Sequence, residues 1–378
     1  MRTKVSIIQE VILPYRIPFF RKLKERMDEA SIDLDLFYST PRTAPETEDE
    51  LPWATPVPIR NVGPFVWQGV YGRCADSQLV IVPQQVRHLS SIAVQFSRAF
   101  SKRRHAFWGH GKNMKDELAN APTRAFKRWM SARPDWWFGY NSHACAAIRE
   151  LGYPKARTTN VMNAIDTRAL VEERKTFDIT KLDAFREEIG IKSKNVAVYT
   201  GGLHPLKRID FLLESAVLIR ERVPDFHLII IGHGVSEGLV AGAAARYPWI
   251  HFPGAKHGLQ KVPYWAISKL LLMPGGVGLV ALDAIALEVP MITTDNSLHG
   301  PEISYLRDKE NGLMVTPGDS ADTYADAVAR VLQNETELAR LREGCVEDAM
   351  KYSIEDMVDR FTEGVLAALE APRHRIFF

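Results

Sequence analysis

Two places in this chain carry residues whose types and spacing suit chemistry on a polar ligand. Residues 275–278 read Gly-Gly-Val-Gly, directly after the apolar run 270–273 and Pro274. Such a turn brings bare backbone N–H groups to the start of a helix, where phosphate or sugar oxygens bind well. Asp283 stands one turn into the helix that follows. A carboxylate there can accept hydrogen bonds from a pair of ribose hydroxyls. His110 lies between Gly109 and Gly111, after the apolar pair Phe107-Trp108. That is a strand's carboxyl end entering a loop, where open α/β sheets bind ligands. Each feature also has a plain structural reading: a Rossmann-like turn without a ligand, and a histidine that only packs.

The elements that would hold these residues follow from the hydrophobic pattern. Residues 270–273 read as a buried parallel strand, 279–287 as a helix and 291–293 as a second strand, which makes a βαβ unit. At the start, strand 5–8, loop 9–18 and helix 19–27 are the opening of a doubly wound sheet. The alternation in 32–38 predicts a second strand, and 79–82 a third. Residues 40–70, rich in Pro, Thr and Glu, read as loop. Helices are expected over 90–100 and over 144–151, where Gly152 stops the second. Further on come strand 195–200, loop 201–208, helix 209–222, strand 228–231 and helices 321–332, 337–351 and 354–369. The fold class is α/β with parallel sheets.

Length and composition bound the rest. A chain of 378 residues predicts two domains or slightly more. Three scattered cysteines suggest neither a disulfide framework nor a cysteine zinc site, which fits a reducing cytoplasm. No leader pattern precedes the strand at 5–8, and no apolar run reaches the roughly eighteen residues that span a bilayer. The net charge is +2, but residues 51–150 hold 14 Lys/Arg against 5 Asp/Glu. Much of that surplus falls in 98–137, where Phe100, Phe107, Trp108, Phe126, Trp129, Trp136 and Trp137 interleave with Lys and Arg. Three readings compete: nucleic-acid binding, docking on an anionic membrane face, or a solvated basic face over buried aromatics. His105, inside the basic run, reads as a surface residue.

The stretch 270–319 resembles the donor-binding signature of retaining glycosyltransferases of family 4. It matches at Pro274, Gly278, Leu279, Ala284, Ala286, Pro290, Pro301-Glu302-Ile303, Asn311-Gly312-Leu313, Pro317 and Asp319. The family's paired glutamates fall on Gly275 and Asp283. The second carboxylate is kept, one methylene shorter, and the first is lost. In the family that first glutamate helps hold the donor sugar, and the backbone amides of Gly276, Val277, Gly278 and Leu279 are expected to stand in. Residues 201–208, Gly-Gly-Leu-His-Pro-Leu-Lys-Arg, resemble a loop whose arginine and lysine clamp the donor diphosphate. Lys207 is retained; Gly202 takes the arginine position, and Arg208 takes that of a glycine. A fixed cation there stabilises the charge left on the diphosphate when the sugar–phosphate bond breaks. Gly201 opens this loop, and Gly254 ends a segment that resembles the border of the donor's base. Glu302 either contacts the diphosphate region or caps the helix that begins there.

The resemblance also places residues in the first half. His110 matches a histidine that the family sets near the donor sugar. Tyr15 and Arg16, in an entry spelled Leu-Pro-Tyr-Arg-x-Pro-Phe-Phe, become acceptor or phosphate contacts, with a solvated arginine as the other reading. Asn163 either faces the cleft or only turns the chain. The implied fold is GT-B: two Rossmann-like doubly wound domains facing a central cleft. Residues 1–172 would bind the acceptor, with helix 354–372 packing back on them, and 173–353 the donor; the linker would run over 168–178.

The implied activity is retaining, metal-independent hexosyl transfer from a UDP- or GDP-linked sugar to a hydroxyl acceptor, lipid-linked acceptors included. The setting would be bacterial polysaccharide, glycolipid or glycoconjugate assembly. His110, Lys207 and Asp283 are the implied catalytic residues, with a nucleoside diphosphate sugar as co-substrate and no cofactor. The resemblance favours membrane docking for 98–137 over nucleic acid, and a cytoplasmic protein at the inner face of the plasma membrane. Two other classes stay open. A nucleotide-sugar epimerase of the same fold would release free sugar without an acceptor, and a non-catalytic module would bind lipid or nucleic acid without turning a donor over.

Overall fold

The computed structural model describes residues 2–39, 50–85, 87–97, 101–111, 121–295 and 299–374. The chain forms two compact units: residues 1–166 with 354–378, and residues 167–353.

The first unit runs β1 (Thr3–Ile8), α1 (Ile17–Glu29), β2 (Ile32–Tyr38), β3 (Thr55–Pro56), β4 (Ile59–Val62), β5 (Phe65–Gln68), β6 (Leu79–Pro83), α2 (Leu89–Ser97), β7 (Arg104–Gly109), α3 (Ala121–Ser131), β8 (Trp136–Gly139), α4 (Ser142–Glu150) and β9 (Thr158–Asn160). Seven strands make a parallel sheet in the order β3-β2-β1-β6-β7-β8-β9, with Val5 opposite Leu34 on one side and Leu79 on the other. The order reverses between β1 and β6. Strand β6, Leu-Val-Ile-Val-Pro, is buried at every position, as a strand covered on both faces must be. Helix α1 buries Phe19, Phe20, Leu23 and Met27, a spacing of one helical face.

The second unit runs α5 (Arg168–Lys175), α6 (Ile179–Glu188), β10 (Val196–Thr200), α7 (Ile209–Arg222), β11 (His227–Ile231), α8 (Glu237–Arg246), β12 (Ile250–Gly254), α9 (Val262–Ala266), β13 (Leu270–Leu272), α10 (Val280–Ala286), β14 (Met291–Thr294), β15 (Gly312–Val315), α11 (Ala321–Gln333) and α12 (Glu335–Ala349). Its parallel sheet has the order β12-β11-β10-β13-β14-β15, the doubly wound order of a dinucleotide-binding fold. The reversal lies between β10 and β13. Side-chain caps start several helices: the Ser320 hydroxyl accepts from the Thr323 N–H, and the Asn334 carbonyl oxygen from the Glu337 N–H.

A last helix, α13 (Ile354–Glu370), returns to the first unit. Phe361 packs with ring centroids 4.5 Å from Phe138, 4.9 Å from Trp108 and 5.6 Å from Phe19. One turn on, a Cβ at Gly364 would overlap the Thr159 side chain, so the glycine permits close approach to β9.

Several expectations change. Of the loop expected over 40–70, residues 40–49 lie outside the described residues. The remainder holds the short strand β3 and the antiparallel hairpin β4–β5, turned by Gly63 at φ +59°. The stretch 168–178 is not a bare linker, because α5 fills most of it and packs in the second unit. His105 is 1% exposed inside β7, with its ring edge-on to Phe107, so the basic run does not make it a surface residue. Within 98–137, residues 98–100 and 112–120 are outside the described residues. Phe107, Trp108, Trp136 and Trp137 are core side chains, whereas Phe126 and Trp129 are exposed on α3.

Candidate functional site

In the second unit, the loops after β10 and β13 flank the reversal in strand order, the crevice where open α/β sheets bind ligands. The loop after β10 ends in a short turn at 205–207, and the loop after β13 is the glycine turn 275–278. The two are laid backbone to backbone: the Gly276 N–H donates to the Leu206 carbonyl at 2.8 Å, and Lys207 Nζ donates to the Gly276 carbonyl. A Cβ at Gly275 would overlap the Lys207 backbone. Any side chain at position 275, a carboxylate included, is therefore sterically excluded by this turn. Lys207 is half-buried, and that burial holds its ammonium below the ordinary lysine range, with nearby Glu302 opposing. Its ammonium has three donors, so a ligand can still be met after Gly276 is served.

The rest of the glycine turn is tied internally. The Val277 N–H donates to His299 Nδ1 at 3.2 Å, and His299 Nε2 lies 2.8 Å from the Thr294 carbonyl. His299 therefore holds its proton on Nε2, and burial lowers its pKa. The Gly276 and Val277 amides are thus engaged by protein acceptors rather than open to a phosphate. At Gly278, by contrast, a Cβ would meet open space.

Arg208 sits in the left-handed region at φ +52°, the conformation for which a glycine serves best. Its Nη1 donates to the Gly318 carbonyl at 2.6 Å and the Thr294 hydroxyl at 3.0 Å, and its guanidinium stacks 3.9 Å from the Phe211 ring. That makes Arg208 a brace across β14 rather than a cation free to meet a ligand. At Gly202 a Cβ would press on the His204 ring, and the Gly202 carbonyl accepts from the Tyr199 hydroxyl at 2.9 Å. Gly201 and Gly254 take φ values of +159° and +75°.

Asp283, on α10, is 6% exposed, and its Oδ2 lies 2.5 Å from Lys261 Nζ. Its Oδ1 is buried with no hydrogen-bond partner among the described residues. Burial raises the carboxyl's pKa, and Lys261 opposes the rise. Lys261 escaped the sequence reading because it precedes α9 in a stretch that matches no motif. Glu302 is buried in a short 3-10 turn after Gly300, where its carboxylate crowds the glycine. The residues brought together here are thus Lys207, the glycine turn, His299 and Glu302, with Asp283 one helical turn further on.

In the first unit the reading of Arg16 as solvated does not hold: the residue is 8% exposed. Its guanidinium lies 5.3 Å from the ring centroids of both Trp108 and Tyr140 and 5.4 Å from that of Tyr15, and Nη1 contacts the Met357 sulfur at 3.8 Å. His110 stacks on Tyr140 at 4.3 Å. Burial pushes its pKa down to about 4, with Arg16 and Lys127 adding to the shift. Both flanking glycines are sterically required: a Cβ at Gly109 would press on Gln84, and one at Gly111, at φ +71°, on α4. Lys127 is a buried residue of α3, while Phe126 and Trp129 of the same helix face solvent. Asn163 is 3% exposed, and its N–H donates to the Tyr140 carbonyl at 2.7 Å. Tyr15, Arg16, His110, Tyr140 and Asn163 so gather at the carboxyl ends of β1, β7 and β8.

Asp33-Leu34-Asp35 is spelled like a metal-binding carboxylate pair. It lies along β2, however, with Lys24 3.6 Å from Asp33 and Lys4 3.1 Å from Asp35.

Comparison with known proteins places this geometry. Residues 194–334 match the family described as Glycosyl transferases group 1. Over 264 residues the chain is 25% identical to the putative glycosyltransferase EpsD of Bacillus subtilis (strain 168), covering 67% of this chain and 66% of that protein. Over 181 residues it is 26% identical to a D-inositol 3-phosphate glycosyltransferase of Nocardioides sp. (strain ATCC BAA-499 / JS614), covering 42% of this chain and 39% of that protein. The match thus spans about two thirds of the first relative and well under half of the second. Among solved structures, Anabaena Alr3699/HepE in complex with UDP superposes with a TM-score of 0.74 at 11% identity, over 97% of this chain and 100% of that one. The same protein in complex with UDP-glucose gives 0.71 at 12% identity, over 96% and 99%. The fold is GT-B.

Proposed function

From the match of residues 194–334 to the glycosyl transferases group 1 family and from the GT-B fold, we propose that the chain is a retaining, metal-independent glycosyltransferase of family 4 type. It moves a hexose from a nucleoside diphosphate sugar, UDP-linked in the first instance, to a hydroxyl acceptor. The role is in bacterial polysaccharide, glycolipid or glycoconjugate assembly. The observation that carries the reading is Lys207: a half-buried cation, fixed by the glycine turn at the strand-order reversal, with no carboxylate bonded to its ammonium among the described residues. A preorganised cation in low dielectric is what stabilises charge building on a departing diphosphate.

In this reading Lys207 receives the diphosphate, Asp283 Oδ1 accepts from the ribose, and neutral His110 meets the sugar's outer hydroxyls. Glu302 and the Gly278–Leu279 edge border the phosphates. The departing phosphate oxygen takes the proton of the incoming hydroxyl on the face that it leaves, so configuration at the anomeric carbon is retained. Tyr15, Arg16 and Asn163 belong to the acceptor side. The exposed rings of Phe126 and Trp129, set among Arg124, Arg128 and Arg133, support docking on an anionic membrane surface at the cytoplasmic face and hence a lipid-linked acceptor.

The test is a thermal-shift series with UDP, GDP, ADP and dTDP, followed by donor turnover with and without candidate acceptors. UDP should raise the melting temperature. Lys207→Ala should lower kcat/KM by roughly ten- to 150-fold, the size of one charge-assisted contact of about 1.5–3 kcal/mol. No shift with any nucleotide, or an unchanged kcat/KM in Lys207→Ala, would overturn the reading. Free epimerised sugar released without an acceptor would replace it with epimerase chemistry.

A further inference from the structure

The second unit has a further cavity, of about 270 Å³, lined by Arg174, Arg186, Lys194, Lys269, Glu288 and Arg342 among others. Lys194 precedes β10, Lys269 precedes β13 and Glu288 precedes β14. The cavity therefore opens at the amino ends of these parallel strands, the edge opposite Lys207 and the glycine turn. It is separate from the donor crevice and takes no part in the proposed transfer.

Its charges do not balance. Lys269 pairs with Glu335 at 2.5 Å and Arg186 with Asp183 at 2.6 Å. That leaves Arg174, Lys194 and Arg342 against Glu288 in the wall. The Nε atoms of Arg186 and Arg342 are buried and bond to nothing among the described residues. Guanidinium N–H groups withdrawn from water in this way are stable when an anion meets them and costly when none does. Desolvation, with Arg174 adding to it, holds the Arg342 guanidinium below its ordinary range, against the pull of Glu335 and Glu288. The surplus of about two positive charges equals the charge of a phosphomonoester near neutral pH, about −1.5 to −2. The volume is slightly under the roughly 300–1,000 Å³ of pockets for drug-sized ligands, which suits a compact anion.

We propose that this cavity is a binding site for a small phosphomonoester, held by Arg342, Arg174 and Lys194. Guanidinium groups match phosphate oxygens in paired hydrogen bonds, and Lys194 adds a point charge at the mouth.

The experiment is calorimetric titration of the full chain with inorganic phosphate and with glycerol 3-phosphate, in wild type and in Lys207→Ala, where the donor crevice lacks its cation. Binding of both probes should survive Lys207→Ala and weaken as salt is raised. It should fall by roughly ten- to 150-fold in Arg342→Met and in Arg174→Met, the worth of one charge-assisted contact. Lys194→Met, at an exposed position, guards against misfolding: it should weaken binding several-fold at an unchanged melting temperature. No binding in wild type, binding lost with Lys207 instead, or equal binding in the Arg342 and Lys194 variants would each overturn the proposal. UDP affinity, measured on the same samples, reports the transfer reading separately.

Discussion

The Lys261 ammonium lies 2.5 Å from Oδ2 of Asp283, with side chains only 13% and 9% exposed. Pairs so far from water weigh most when one partner is removed, because the other is left buried and unanswered. Lys261→Met should lower stability by about 3–5 kcal/mol, whereas Lys261→Met with Asp283→Leu should recover most of that loss. Urea unfolding of the four members of the cycle measures it. Additive losses would show that the two side chains do not act as a pair.

At Gly275 the adjoining Lys207 backbone leaves no room for a side chain. Gly275→Ala should lower stability by about 1–3 kcal/mol, the usual penalty for overpacking, and weaken UDP binding as the lysine turn is pushed away. Gly278→Ala, where a Cβ meets open space, is the control and should be milder. Equal melting temperatures for the two variants would contradict the close approach.

His110 gives a pH signature. Its folded pKa of about 4 lies below the ordinary value of about 6.5, so folding favours the neutral ring. A group depressed in this way contributes its full stability above about pH 6.5 and loses it as pH falls toward 4, by up to about 3 kcal/mol. His251, also lowered to about 4, changes in the same direction, so the comparison must be with a variant. The stability gap between wild type and His110→Gln should narrow as pH falls from 7 to 4.5. A gap constant with pH would mean the ring is not desolvated.

Helix α3 is turned about: Lys127 is inside, and Phe126 and Trp129, stacked at 5.8 Å, are outside. Phe126→Ser with Trp129→Ser should leave the melting temperature nearly unchanged and reduce binding to anionic vesicles by tenfold or more, about 1.4 kcal/mol. Vesicle binding unaffected by the double change would remove this helix from the membrane reading.

Much of the scaffold was legible because parallel strands buried on both faces announce themselves as apolar runs stopped by glycine or proline. Strands 196–200 and 270–272 and helix 209–222 follow that grammar. The hairpin at 59–68 did not, since Pro58, Gly63 and Pro64 read as breakers although the first only precedes it and the other two make its turn. At the site, Asp283 stood out by its place one turn after the glycine turn, and Lys207 by the resemblance of its loop to a family motif. The burial of Arg16, the pairing of Lys261 with Asp283 and the brace made by Arg208 are tertiary facts: each joins residues that no local pattern connects. Gly275 was readable as a departure, but the Lys207 backbone that forbids a side chain there was not.

That close approach bears on redesign. With the Lys207 loop settled against a bare Cα, an acidic residue cannot simply be introduced at position 275. The loop would first have to withdraw, taking with it the bond between Gly276 and Leu206 and the cation on which the proposed transfer rests. Placing a carboxylate at position 275 alone is therefore expected to dislodge the loop rather than add a contact. The two loops have to be exchanged together.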